Sequence, residues 1–337
     1  MALADYPSSP PTLQASCHSV LETVGNTPMI TLEMEDFPHL QIYSKLEALN
    51  PTGSVKARGA CFILNKELDN GRINQQTTII ESSSGNFGLA LAAYCKKLSL
   101  KFICVVDPLI SPYNKMLIQQ YGATIEQVHH PDKNGGYLLN RIARVKELMG
   151  EIDNSYWVNQ YGNVLNANGY YHTLGREICA EVDHLDYAFL GVSSGGTITG
   201  ISRRLKESFP QIQVIAVDIV GSVIFGDRPR KRYIPGIGSS MVPSIIQHAC
   251  IDDFIRIKET DTILGCIELI RRHQLFLGGS SGSVFAAIKN YFTQYPNPRP
   301  LNVLVLFPDG GEKYVDTVYN ERWCKDTFGE DFAYPPL

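Results

Sequence analysis

The chain has 337 residues, of which 44% are hydrophobic and 19% charged, enough to bury cores and too apolar for wholesale disorder. At roughly 100–200 residues per domain, this length fits about two domains or one large one. The formal net charge of −4 leaves no global basic footprint for nucleic acid, and no apolar run reaches the length of a bilayer span.

Met1 to Gln14 shows no basic segment followed by an apolar one, so no secretory signal is expected. The eight cysteines are scattered and none is spaced C-x-x-C. That pattern argues against a zinc ribbon or a disulfide scaffold and fits a reducing cytoplasm. No metal site is expected.

Residues 1–16 are rich in Pro and Ser and are expected to form a loose arm. Strand-like and helical runs then alternate. The first pattern predicts a strand over 42–46, a helix over 56–69, a strand over 78–81 and a helix over 86–98. A strand over 102–106 and helices over 111–121 and 136–149 follow. Next come a strand over 187–192, a helix over 195–209 and a strand over 214–218. Helices over 263–273 and 283–292 and a strand over 303–307 complete the series. Alternation of this kind predicts an α/β fold of mostly parallel sheets covered by helices, in two lobes.

Four clusters of small polar residues stand at strand-to-helix transitions. In Asn50-Pro51-Thr52-Gly53-Ser54-Val55-Lys56, a lysine opens a helix behind a tight turn. Alone, it reads as a surface lysine. Yet the positive end of the helix dipole repels a cation, so a role as a phosphate contact or a Schiff base is open. The spacing is not that of a Walker A loop. In Glu81-Ser82-Ser83-Ser84-Gly85-Asn86, three hydroxyls, a Gly and an Asn exceed what one helix cap needs, and a carboxylate pocket is the functional reading. In Gly191-Val192-Ser193-Ser194-Gly195-Gly196-Thr197, adjacent glycines allow backbone to approach a phosphate at a helix N-terminus. The alternative is a plain tight turn; the G-x-G-x-x-G dinucleotide fingerprint is absent. The fourth cluster, Gly278-Gly279-Ser280-Ser281-Gly282-Ser283, is read as a loop before a helix: a cap, or further polar groups facing the same cleft. At the carboxyl ends of a doubly wound sheet, all four could share one crevice.

In this order, a lysine, a Ser/Asn loop, a glycine-rich loop and a late serine resemble the fold-type II pyridoxal-phosphate enzymes of the cysteine synthase and cystathionine β-synthase family. The resemblance runs from Val24-Gly25-Asn26-Thr27-Pro28-Met29 to Pro308-Asp309-Gly310-Gly311-Glu312-Lys313-Tyr314. It implies that Lys56 holds pyridoxal 5'-phosphate as a Schiff base and acts as general base at the substrate Cα. It implies that Asn86 meets the ring hydroxyl and that Ser193, Ser194, Gly195, Gly196 and Thr197 form the phosphate cradle. Ser280 would face the pyridine nitrogen. Ser83, Ser84, Gly85 and Asn86, with Gln160, would grip the substrate α-carboxylate. A neutral hydroxyl at the ring nitrogen disfavours a long-lived carbanion, so β-elimination to an aminoacrylate followed by addition is the implied chemistry. The family also implies a homodimer, with a large cofactor domain over 1–47 and 163–337 and a smaller mobile substrate domain over 48–162.

Tyr161, Ser193 and Phe87 depart from ordinary cysteine synthases, which have Phe, Gly and Thr there, and Ala57 stands where an Asp commonly follows the lysine. Segments such as Asp107-Pro108-Leu109-Ile110-Ser111-Pro112, Asn134-Gly135-Gly136-Tyr137-Leu138 and Gly221-Ser222-Val223-Ile224-Phe225-Gly226-Asp227 are similar to the N-(2-amino-2-carboxyethyl)-L-glutamate synthases of 2,3-diaminopropionate and staphyloferrin B biosynthesis. That similarity implies O-phospho-L-serine as acceptor and L-glutamate as nucleophile. Tyr161 is either an added polar group in the site or a core aromatic with a local partner. Two anionic substrates call for cations. Arg58, Arg141 and the run Arg228-Pro229-Arg230-Lys231-Arg232 are candidates, with a solvated face the favoured reading of the run. The alternatives are a sulfide-using cysteine synthase and a non-catalytic binding protein on the same fold.

Overall fold

The computed structural model describes residues 17–132 and 135–335. The expected arm over 1–16 and Asn134 lie outside them. In chain order the elements are β1 (Met29–Leu32), β2 (Leu40–Leu46), α1 (Lys56–Asp69), β3 (Thr78–Ser82), α2 (Asn86–Lys97), β4 (Lys101–Val106), α3 (Pro112–Gln120), β5 (Thr124–Gln127), α4 (Leu138–Glu151) and β6 (Ser155–Trp157). They continue as α5 (Val164–Tyr170), α6 (Arg176–Glu181), β7 (Tyr187–Gly191), α7 (Gly196–Ser208), β8 (Gln213–Ile219), β9 (Asp253–Ile257), α8 (Glu259–His273), α9 (Gly279–Gln294), β10 (Leu301–Phe307) and α10 (Glu321–Phe328). A π-helical turn, Tyr171–Gly175, joins α5 to α6.

Two sheets result. One has the order β1-β2-β10-β7-β8-β9, the other β5-β4-β3-β6. Every pairing is parallel except β1 with β2. β10, late in the chain, inserts between β2 and β7, with Val303 opposite both Ile42 and Tyr187. The four strands over 78–157 thus lie, in sequence, inside the set that builds the larger sheet.

Each sheet is covered on both faces, which is why its strands are near-continuous apolar runs. Along β8, Ile215, Val217 and Ile219 pack into the core with Leu269 of α8 and Phe285 of α9. The alternate residues Val214 and Ala216 face Tyr170, Ile201 and Leu205 on α5 and α7. In the smaller sheet, Ile79, Phe102 and Cys104 pack against α1 and α2, while Ile80 and Val105 meet Val145 and Leu148 of α4. The short 3-10 turn Val20–Thr23 also docks on this half: Leu21 joins its core and accepts a hydrogen bond from the Tyr94 hydroxyl at 3.0 Å.

The α/β reading and the long elements hold within a few residues. β1, β5, β6, β9, α5, α6 and α10 were not anticipated. The fourth cluster also needs correction: Gly279–Ser283 form the first turns of α9, with Gly278 as cap. The reason is close helix packing. A Cβ on Gly265 would lie 2.4 Å from the Gly282 carbonyl oxygen, and one on Gly282 would lie 2.3 Å from that of Thr262. Small residues let α8 and α9 touch backbone to backbone there, which local propensity does not report.

Candidate active site

The segments after β2, β3, β7 and β10 leave the carboxyl ends of parallel strands, where α/β folds place their ligand crevice. Lys56 opens α1. The Val55 N–H donates to the Pro308 carbonyl at 2.8 Å, and Ser54 bridges to Asp309, so the start of α1 is tied to the segment after β10. Lys56 Nζ lies 3.5 Å from Ser194 Oγ. Desolvation pushes its ammonium down to about 8, against the opposing pull of the Asp309 carboxylate.

The second cluster divides its work. Ser83 Oγ accepts from the Gly88 N–H at 3.0 Å and serves the N-terminus of α2. Ser84 Oγ donates to Asp107 Oδ2 at 2.9 Å and accepts from Arg141 Nη1 at 3.0 Å. Arg141 Nε lies 3.3 Å from the same Asp107 oxygen. Gly85 is open: a Cβ there would meet nothing within 4 Å. Gln160 Nε2 donates to the Ser82 carbonyl at 3.2 Å, and its N–H reaches buried Glu81, whose carboxyl burial pushes up to about 7. Tyr161 follows Gln160 on the same segment, and burial raises its phenol pKa.

In the third cluster, Gly195 adopts φ +85°, a left-handed conformation that glycine enters freely, and no side chain caps the thirteen-residue α7. A Cβ on Gly196 would sit 2.4 Å from Asn166 Nδ2, and that nitrogen donates to the Gln160 carbonyl at 2.8 Å. Thr197 lies beside the Tyr170 hydroxyl. Ser193 turns away from the helix start and donates to the Gly238 carbonyl at 3.0 Å. Ser280, nearly buried, stands 3.8 Å from where a Cβ of Gly236 would be.

Two of the expected substrate cations are reassigned. Arg58 is buried and consumed by ion pairs, Nε to Glu47 at 2.6 Å and Nη1 to Glu177 at 2.6 Å, so it anchors α1. The basic run is solvent-facing from Arg228 to Lys231, but Arg232 turns inward. Its Nη2 donates to Ser240 Oγ at 3.0 Å, and Nη1 is sealed beneath Gly238. The reading also missed Asp309. Its carboxylate accepts from Asn86 Nδ2 at 2.8 Å and from the Tyr314 hydroxyl at 3.0 Å, and burial raises its pKa. The available signal was a Pro-Asp-Gly-Gly turn at the carboxyl end of an apolar strand.

The structure therefore brings a lysine of lowered pKa within 3.5 Å of Ser194, beside an uncapped helix start that opens with two glycines. A ligand carrying a phosphate and a reactive carbonyl fits that set: an anion at the α7 N-terminus, the carbonyl at Lys56.

Comparison with known proteins agrees. Residues 20–309 match the family model described as pyridoxal-phosphate dependent enzyme. The O-acetylserine dependent cystathionine beta-synthase from Helicobacter pylori is 33% identical, with a TM-score of 0.85 over 91% of this chain and 100% of that one. A hydrogen sulfide-producing enzyme from Fusobacterium nucleatum is 28% identical, with a TM-score of 0.82 over 89% of this chain and 100% of that one. O-ureido-L-serine synthase is 26% identical, with a TM-score of 0.82 over 90% of this chain and 95% of that one. The chain belongs to the pyridoxal-phosphate dependent enzyme family, as a cysteine synthase-like, β-substituting enzyme of fold type II. Among the described residues, no helix is long and apolar enough to cross a membrane.

Proposed function

We propose that this enzyme catalyses β-replacement on O-phospho-L-serine with L-glutamate as the nucleophile, yielding N-(2-amino-2-carboxyethyl)-L-glutamate and phosphate, as in diaminopropionate and siderophore biosynthesis. The observation that carries the reading is Arg141 lodged on Ser84 and Asp107, a cation on the loop expected to grip the acceptor. A relative named as O-acetylserine dependent supports a β-substituted serine as the acceptor class.

In this reading the N-terminus of α7, with Ser194, Gly195, Gly196 and Thr197, holds the cofactor phosphate, and Ser193 braces that loop through Gly238. Asn86 meets the ring hydroxyl and Ser280 the ring nitrogen. Bound pyridoxal phosphate supplies the electron sink for charge developing at the substrate Cα. Ser83, Ser84, Gly85 and Gln160 orient the substrate carboxylate. Lys56 Nζ, neutral above about pH 8, accepts the Cα proton. Arg141 and Tyr161 stabilise the departing phosphate or the incoming dicarboxylate. The 48–162 portion closes over the substrate as a mobile domain against a large domain of 1–47 and 163–337, in a cytoplasmic homodimer.

The test mixes enzyme, O-phosphoserine and glutamate and seeks the amino-carboxyethyl-glutamate adduct by mass spectrometry. Phosphate release without adduct counts against glutamate. The second reading, a cysteine synthase using sulfide, is favoured by the O-acetylserine dependent relative. Sulfide outcompeting glutamate with either acceptor selects it.

A further inference from the structure

Asn86 is held by two side chains that the reading above leaves without a role. It opens α2 on the four-stranded half, whereas Asp309 and Lys313 follow β10 of the larger sheet. Asn86 Nδ2 donates to Asp309 Oδ2 at 2.8 Å, and the Lys313 ammonium donates to Asn86 Oδ1. Asp309 is 1% exposed, and its other oxygen, Oδ1, has no partner. A Cβ on Gly278 would lie 2.1 Å from that oxygen, so Gly278 lets the carboxylate sit this deep.

The two ends of an asparagine amide are nearly equal in shape, and their hydrogen-bond partners decide which is which. With an ammonium on one side and a carboxylate on the other, only one orientation is favourable. Flipping the amide would set oxygen against carboxylate and NH2 against ammonium, both repulsive in a crevice of low dielectric. One Nδ2 hydrogen is given to Asp309, and the second is left for a ligand. On its Nδ2 side Asn86 therefore meets a ligand as a donor, while Oδ1 is turned to the Lys313 ammonium.

We propose that Lys313 and Asp309 are positioning residues that lock the Asn86 amide as a hydrogen-bond donor to the cofactor's ring oxygen and so hold that oxygen deprotonated. The proposal rests on the assignment of Asn86 to the ring hydroxyl. A donor stabilises the anionic oxygen, whereas an amide carbonyl turned toward it would stabilise the protonated form. Asp309 is the last residue of the stretch that matches the family model, and Lys313 lies beyond it.

The test titrates the full-length apoenzyme and its variants with pyridoxal phosphate and follows the absorption spectrum. Lys313→Met should weaken cofactor affinity by roughly tenfold or more, the scale of a lost charge-assisted network. It should also move the absorption of the loaded protein from the visible toward the ultraviolet form, and Lys313→Arg should restore both. A purely structural role would lower Tm and leave the band in place. If Lys313→Met does not fold, Asp309→Asn reads the same device, because it removes the charge at constant size and should shift the band in the same direction. Wild-type affinity and an unmoved band in a folded variant overturn the proposal alone. A wild-type protein that takes up no pyridoxal phosphate overturns the cofactor assignments with it.

Discussion

Lys56 sits where a cation is least welcome, at the first position of a helix and desolvated, with no acidic residue in that first turn. Its ordinary pKa of 10.5 falls to about 8. Attachment of pyridoxal phosphate needs the neutral amine, so its rate should rise with pH and level off above about 8, as stopped-flow absorbance can follow. Linkage sets a second outcome. The folded chain releases this proton more readily than the unfolded one, so stability rises with pH between about 8 and 10.5. Lys56→Met should therefore stabilise the apoenzyme most below pH 8, and the gain should fade toward 10.5; urea unfolding at several pH values measures it. At the acceptor end, Arg141→Gln should raise KM for O-phosphoserine more than for O-acetylserine in steady-state assays, because only the former brings a phosphate to the guanidinium.

At the scale of elements, helix starts do the positioning. α1 is anchored two residues past Lys56 by Arg58, whose guanidinium is shared between buried Glu47 and partly buried Glu177. Arg58→Ala leaves a buried carboxylate unpaired and should cost about 3–5 kcal/mol of stability in denaturant titration. α7 is coupled to the carboxylate loop through Asn166, which lies against Gly196 and donates to the Gln160 carbonyl. Gly196→Ala forces that asparagine aside, so cofactor affinity should drop and stability fall by about 1–3 kcal/mol, as an overpacked site does. Isothermal titration with pyridoxal phosphate and thermal unfolding check the two effects.

Across the whole molecule, three of the ties between the two halves are Val55 to Pro308, Ser54 to Asp309 and Asn86 to Asp309. All three converge on one turn after β10. If the 48–162 portion closes on substrate, hydrogen exchange should slow over 83–88 when O-phosphoserine binds, with little change in the strands of the larger sheet. Uniform protection of both halves would argue against such closure.

The apolar runs, the helix starts and the four small-residue clusters were legible because each is local. Parallel strands buried on both faces must be apolar throughout, and an anion site at a helix start needs small residues next to each other in sequence. Short strands such as β5 and β6 carried too little pattern to be read, and Gly279–Ser283 looked like a loop because glycine and serine are poor helix formers in isolation. The fates of the charged residues were not local at all. Arg58, Arg141 and Arg232 are chemically identical, yet one is paired with Glu47 and Glu177, one is placed on Ser84 and Asp107, and one is folded under Gly238. Asp309 meets Asn86 from 223 residues away. By itself the sequence determined the alternating α/β plan and the polar turns of the crevice. The tertiary structure alone decided which charges face that crevice, because a charge's partners and its desolvation are set by residues that only folding brings together.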